Sequence, residues 1–208
     1  MLDLTPFEQV LVGGGIAASL IYVITVAAGA AIRPGYGHIA NAVSELVGSG
    51  APNRAALNLA FAAYNALVVA FGLGLAAAFA GIARGAEAAG YLMAATGFIG
   101  MAMNWFPMDP VGAKATRRGI VHIVLAGFLS LGTLAAILAF SIGAGGLDDW
   151  GGVATYSYVT FGVTLATGGL AALSAARAWS TMGLMERLTI VSGLQWMALV
   201  AFVVLDRS

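Results

Sequence analysis

Apolar residues run almost continuously along this chain, broken only by short polar connections. Crossing a bilayer core takes about 20 apolar residues in a helix. Runs of that length occur at roughly 8-32, 54-83, 86-106, 119-142, 153-177 and 185-205. The breaks carry turn and helix-stop residues: "RPGYG", "GSGAPNR", "ARGAE", "PMDPVGAKATRRG", "GAGGLDDWGG" and "ARAWSTMGLME". The pattern predicts an all-α fold, a single polytopic membrane bundle over 1-208 with six transmembrane helices. The first helix has its own start signal, with Thr5 as N-cap, Pro6 at the first helical position and Glu8 three residues after the cap. Acids precede the first apolar run, and that run is too long for a signal-peptide core, so the segment is expected to stay on the mature protein.

One connection has a pattern of its own. In residues 38 to 53, "HIANAVSELVGSGAPN", the apolar positions Ile39, Ala42, Val43, Leu46 and Val47 follow helical spacing. His38, Asn41 and Glu45 fall on the opposite face, with Ser44 at its edge. The stretch is too short to span, and the spacing predicts a short amphipathic helix in the membrane interface between spans 1 and 2.

Composition fits this picture. The chain is 61% hydrophobic and 9% charged, with mean hydropathy +0.94, whereas a soluble domain carries about 25% charged residues. Net charge is zero and the basic residues are scattered, which argues against nucleic acid as a partner. With no Cys and only two His, thiolate and three-histidine metal sites are excluded. No metal or cofactor is expected. The 29 glycines, including "GGG" at 13 to 15, "GLGLAAAFAG" and "GFIG", read as helix-packing seams. Gln195 and the Thr160, Thr164, Thr167 series read as interhelical hydrogen bonds. Trp105, Trp150, Trp179, Tyr156 and Tyr158 fall near span ends and read as interface anchors.

Six spans place both termini on one side. The opposite side receives Arg33, Arg54, Lys114, Arg117, Arg118, Arg177 and Arg187, so the positive-inside rule makes it cytoplasmic and puts both termini outside. The unusual polar residues gather on that basic side. Candidate chemistry rests on Ser44, Glu45, Asp109 and His122, which include the types needed for a nucleophile, a base and an orienting acid. Candidate ligand-binding residues are Arg33, His38, Asn41, Asn53, Arg54, Asn58, Asn104, Arg117 and Arg118. Arg54, Asn58 and Asn65 share a helix face that must turn away from lipid. His122, one turn inside span 4, needs a partner, and Glu45, Asp109 or Asn104 is the expected one.

"RPGYGHIANAVSELVGSGAPN", followed after span 3 by "NWFPMDPVGAKATRRGIVH", resembles the bacterial six-helix membrane proteins grouped as domain of unknown function 998. The matching residues are Ser44, Glu45, Leu46, Ala51, Pro52, Asn53, Phe106, Pro107, Asp109 and His122. That family looks distantly similar to membrane proteins of GPI-anchor lipid remodelling and autophagy. The resemblance implies a fold, a shared polar loop and the inner membrane of a bacterium as the expected location, without an established reaction.

Three functions are compatible with these residues. The first is a polar interfacial pocket for a lipid headgroup or small anionic ligand, with lipid modification as an extension and membrane lipids as partners. The second is a non-catalytic accessory subunit of a larger membrane complex. The third is a small-solute transporter, for which "GLG" in span 2 would be the helix break.

Overall fold

A computed structural model describes residues 2–208, and all regular structure among them is helical. In chain order the helices are α1 (Pro6–Ala31), α2 (Arg54–Ala78), α3 (Arg84–Ala102), α4 (Arg117–Gly145), α5 (Gly151–Ala176) and α6 (Met182–Asp206). Short 3₁₀ segments occupy Val43–Val47 and Met103–Trp105. Helix α1 starts as its sequence predicts. The Thr5 hydroxyl accepts the Glu8 N–H at 3.3 Å, and the Glu8 carboxylate accepts the Thr5 N–H at 2.8 Å. This capping box satisfies two N–H groups that a helix start would leave free.

Five of the six helices are long and apolar enough to cross a membrane. The remaining one, α3, has 19 residues, is rich in Ala and Gly, and carries Arg84 and Glu87 in its first turn. Helix α2 ends at Ala78, earlier than its apolar run suggests, because the chain turns through Gly81 at φ +70°. It runs unbroken through Gly72, Leu73 and Gly74. These glycines mark contact rather than a break. A Cβ on Gly72 would lie 2.3 Å from the Ala94 nitrogen, and one on Gly74 would lie 2.7 Å from the Val12 nitrogen. Backbones of α2 therefore touch α3 on one side and α1 on the other, as small residues permit where no hydrophobic force brings helices together.

Each helix packs on its neighbours in the chain and α6 returns to α1, so the six form a closed ring. At the end holding the termini, Phe79, Phe140, Trp150 and Trp196 pack edge to face, with centroids 5.8 Å (Phe79–Phe140), 5.1 Å (Phe79–Trp150) and 5.7 Å (Phe140–Trp196) apart. Trp150 is a correction to the sequence reading. It is buried in this cluster with the Arg207 guanidinium 4.5 Å above its ring, whereas Trp105 and Trp179 are exposed as anchors would be. The chain ends meet here, the Leu2 N–H donating to the Arg207 carbonyl at 2.7 Å.

At the opposite end lie the connections 32–53, 103–116 and 177–181. The first is less helical than its spacing predicts: only Val43–Val47 winds, as a 3₁₀ segment, after turns at 38–41. The cause is competition for the backbone. Carbonyls of His38 and Asn41, which an α-helix would pair with amides four residues on, accept instead from Arg187 of α6 at 2.7 and 2.8 Å. Beneath this segment, Leu46 is 1% exposed and packs with Val26 of α1 and Leu57 of α2.

Candidate functional site

The basic end divides into two polar groups that meet at Met108. The first is built on the connection from Arg33 to Val47. The Glu45 carboxylate accepts the Ala42 N–H at 2.8 Å and the Asn41 side-chain amide at 2.9 Å. It thus caps the 3₁₀ segment, and Asn41 and Glu45 share a face as their spacing predicts. Arg33 donates to the Glu45 carbonyl. The Tyr36 hydroxyl donates to the Ala42 carbonyl at 2.9 Å and accepts from Arg187. Burial pushes this phenol above its usual range, which keeps the proton for that hydrogen bond. The His38 side chain stands exposed with its ring 5.9 Å from that of Tyr36.

Two α6 residues outside the expected site, Glu186 and Arg187, complete this group. Arg187 holds the His38, Asn41 and Gly183 carbonyls, and Glu186 accepts the Val43 N–H at 2.7 Å. Gly183 is required by the same approach, since a Cβ there would lie 2.3 Å from the Asn41 carbonyl oxygen. The signal available in sequence was their place. An adjacent acid and base inside the first two turns of a spanning helix must be satisfied by something.

The second group is built on residues 103–122. Thr116 caps α4, its hydroxyl accepting the Gly119 N–H at 3.1 Å. Asp109 in turn accepts the Thr116 N–H and hydroxyl, each at 2.8 Å. These bonds, the backbone one first, hold the Asp109 carboxyl below its usual range. His122 is buried and its Nδ1 pairs with the Phe106 carbonyl at 2.8 Å, a partner none of the expected side chains supplies. Arg54 donates to the Asn104 carbonyl at 3.2 Å, while its Nε is buried with no partner.

Met108 joins the groups, its sulfur accepting from the Ser44 hydroxyl at 3.1 Å and its carbonyl from the Ser49 N–H at 2.9 Å. The expected neighbours Ser44, Asp109 and His122 are therefore each bonded to something other than one another: Met108, Thr116 and the Phe106 carbonyl. Among the described residues no hydrogen bond links Ser44 to His122, and Glu45 belongs to the other group. A cleft of about 370 Å³ opens in the second group, lined by Ser49, Arg54, Pro107, Asp109, Thr116, Arg117 and Arg118. Of the other expected ligand residues, Asn53 is exposed in the left-handed region at φ 59°, and Asn58 is half-buried one turn into α2. Asn65, deeper on that face, is buried against Gly100 of α3, turned from lipid as predicted.

Fold and hydropathy define a helical polytopic membrane protein with its polar groups concentrated at one end. The family model described as protein of unknown function (DUF998) matches residues 16–203, and the chain belongs to that family. No curated protein and no solved structure matches it.

Proposed function

We propose that the cleft at the start of α4 binds an anionic phosphate group, that of a lipid headgroup. The observation that carries this reading is the convergence of Arg54, Arg117 and Arg118 on one cleft at the N-terminus of a 29-residue helix. Guanidinium groups recognise phosphate through paired, charge-assisted hydrogen bonds, and a helix start adds free N–H groups and a positive dipole end. The side chains of Arg117 and Arg118 are exposed and make no hydrogen bond among the described residues. The one carboxylate on the wall, Asp109, is already occupied by Thr116. The cleft lies at the ends of spanning helices, the depth at which headgroups lie. Asp109 and His122 act here as positioning residues that hold the 106–116 connection against α4. The basic end would face the cytoplasm, with both termini outside.

The test is native mass spectrometry from nanodiscs containing phosphatidylglycerol and phosphatidylcholine. Wild type should retain phosphatidylglycerol preferentially, and R117A/R118A should lose the preference with its thermal unfolding unchanged. An unaltered preference in the double variant would sink the reading.

A second reading, an accessory subunit of a membrane complex, is favoured by one observation. In the most apolar windows of α4 and α5 only 17% of residues are buried in the bundle, against 39% in α1, α2 and α6. Two helices so lightly covered suit packing against another subunit. Extraction in mild detergent decides it: co-migration with one fixed partner supports this reading, and a lone monomer retaining lipid opposes it.

A further inference from the structure

A second cavity lies on another side of the bundle, between α1 and α6, and its chemistry is unlike that of the arginine cleft. It measures about 190 Å³. Buried side chains of Val26, Val43 and Leu194 form its floor, and Val23 and Val191, both more than half exposed, stand on its rim. Along α6 it runs from Arg187 to Leu194, seven residues, or about 10 Å of helix. One end is apolar throughout. The other ends under the 36–47 connection, at Arg187 and His38.

We propose that this groove holds one acyl chain of a bilayer phospholipid, with the ester and headgroup atoms of that lipid beside His38. The lining is almost wholly apolar, and the walls belong to two helices that span the membrane, so hydrocarbon is the medium that meets the opening. The volume is below the roughly 300 Å³ at which drug-sized pockets begin, so the groove takes a segment of one chain, with the rest continuing into the bilayer. A partner helix would need a long, open face. This groove is short and is stopped at one end by polar groups, which matches a chain attached to a headgroup. Arg187 is committed to the carbonyls of His38, Asn41 and Gly183 and to Tyr36. The His38 imidazole is exposed and has no hydrogen-bond partner among the described residues, so it is the group free to meet the ester region.

The occupant sits apart from the phosphate site at α4 and does not depend on it. The experiment uses the full chain in phosphatidylethanolamine and phosphatidylglycerol vesicles doped with a phosphatidylcholine bearing a photoactivatable diazirine in its acyl chain. The phosphatidylcholine headgroup makes the readout independent of anion selectivity at the arginine cleft. Cross-links should concentrate in residues 22–27 and 190–194. Ala27→Phe, which adds a ring at an exposed wall position, should remove most of them, while Ala28→Phe, next to it but outside the lining, should leave them in place. Labelling spread evenly over bilayer-facing residues of all six helices would overturn the proposal, as would a cross-linked protein chain in place of lipid. A normal result here with failure of the R117A/R118A test would leave the groove standing and remove only the phosphate site.

Discussion

The two ends of the bundle are held by different forces. At the end with the termini, aromatic rings fill the centre of the ring of helices, and Trp196 is fully buried with its indole N–H on the Ser157 hydroxyl at 3.0 Å. At the basic end the centre is closed by a connection that seats Val43 and Leu46 on Val26 and Leu57, and its main chain is held by polar groups: Arg187, Glu186, Arg33, Tyr36 and Glu45 all bond main-chain groups between residues 38 and 45. Helix association in lipid gains from packing rather than from expelling water. The aromatic end can be stable on packing alone, whereas the basic end depends on satisfying backbone groups that lipid would leave bare.

The sharpest way to break this contrast is to remove one member from each end. Trp196→Ala opens a cavity in the aromatic cluster, and a buried Trp-to-Ala change costs about 3–5 kcal/mol. Its thermal unfolding in detergent should fall steeply. Arg187→Ala removes a charged donor from several carbonyls, each such bond contributing about 1.5–3 kcal/mol. Its effect should be local, read as faster amide exchange over 36–45 with the aromatic end still protected. Global unfolding in both variants would mean that the two ends are one cooperative unit.

Tyr36→Phe is a finer probe of the same hold. It deletes the hydroxyl that donates to the Ala42 carbonyl and accepts from Arg187, and should cost about 1 kcal/mol. Exchange at Ala42 and Val43 should quicken less than in Arg187→Ala. An equal or greater rise would shift the main role from the guanidinium to the phenol.

The aromatic and basic ends differ in how far the sequence discloses them. Hydropathy reveals the six helices, and local signals reveal the Thr5 capping box, because both depend on residues close in the chain. The Asn41–Glu45 pair is legible for the same reason. The Arg187 bonds to His38 and Asn41 link residues about 150 positions apart, and only the return of α6 to α1 brings them together. The pattern "HIANAVSELV" reads as an α-helix since spacing carries no record of a distant guanidinium taking its carbonyls. Trp150 misleads similarly: position near a span end suggests an anchor, while Phe79 and Phe140 from other helices bury it. Asp109 and His122 were visible as polar residues, yet their partners, Thr116 and the Phe106 carbonyl, are structural ones.

The smallest expected effect is also the most specific to the basic end. Asp109 holds the start of α4 through Thr116, and those bonds lower its pKa from the ordinary 3.8. A carboxyl depressed in the folded state contributes stability that is complete above its unfolded value and is lost as pH falls through the folded one. The α4 cap should therefore persist unchanged from neutral pH down to about 4 and loosen only in stronger acid. The Thr116 amide resonance, followed by NMR against pH, should titrate with a midpoint below 3.8, and Asp109→Asn should abolish that titration. Gly119→Ala sharpens the test, because its Cβ would lie 2.0 Å from an Asp109 carboxylate oxygen and must push it off the cap. In that variant the midpoint should move back up toward the ordinary value. A wild-type midpoint already at or above 3.8 would mean that the cap draws nothing from the charge.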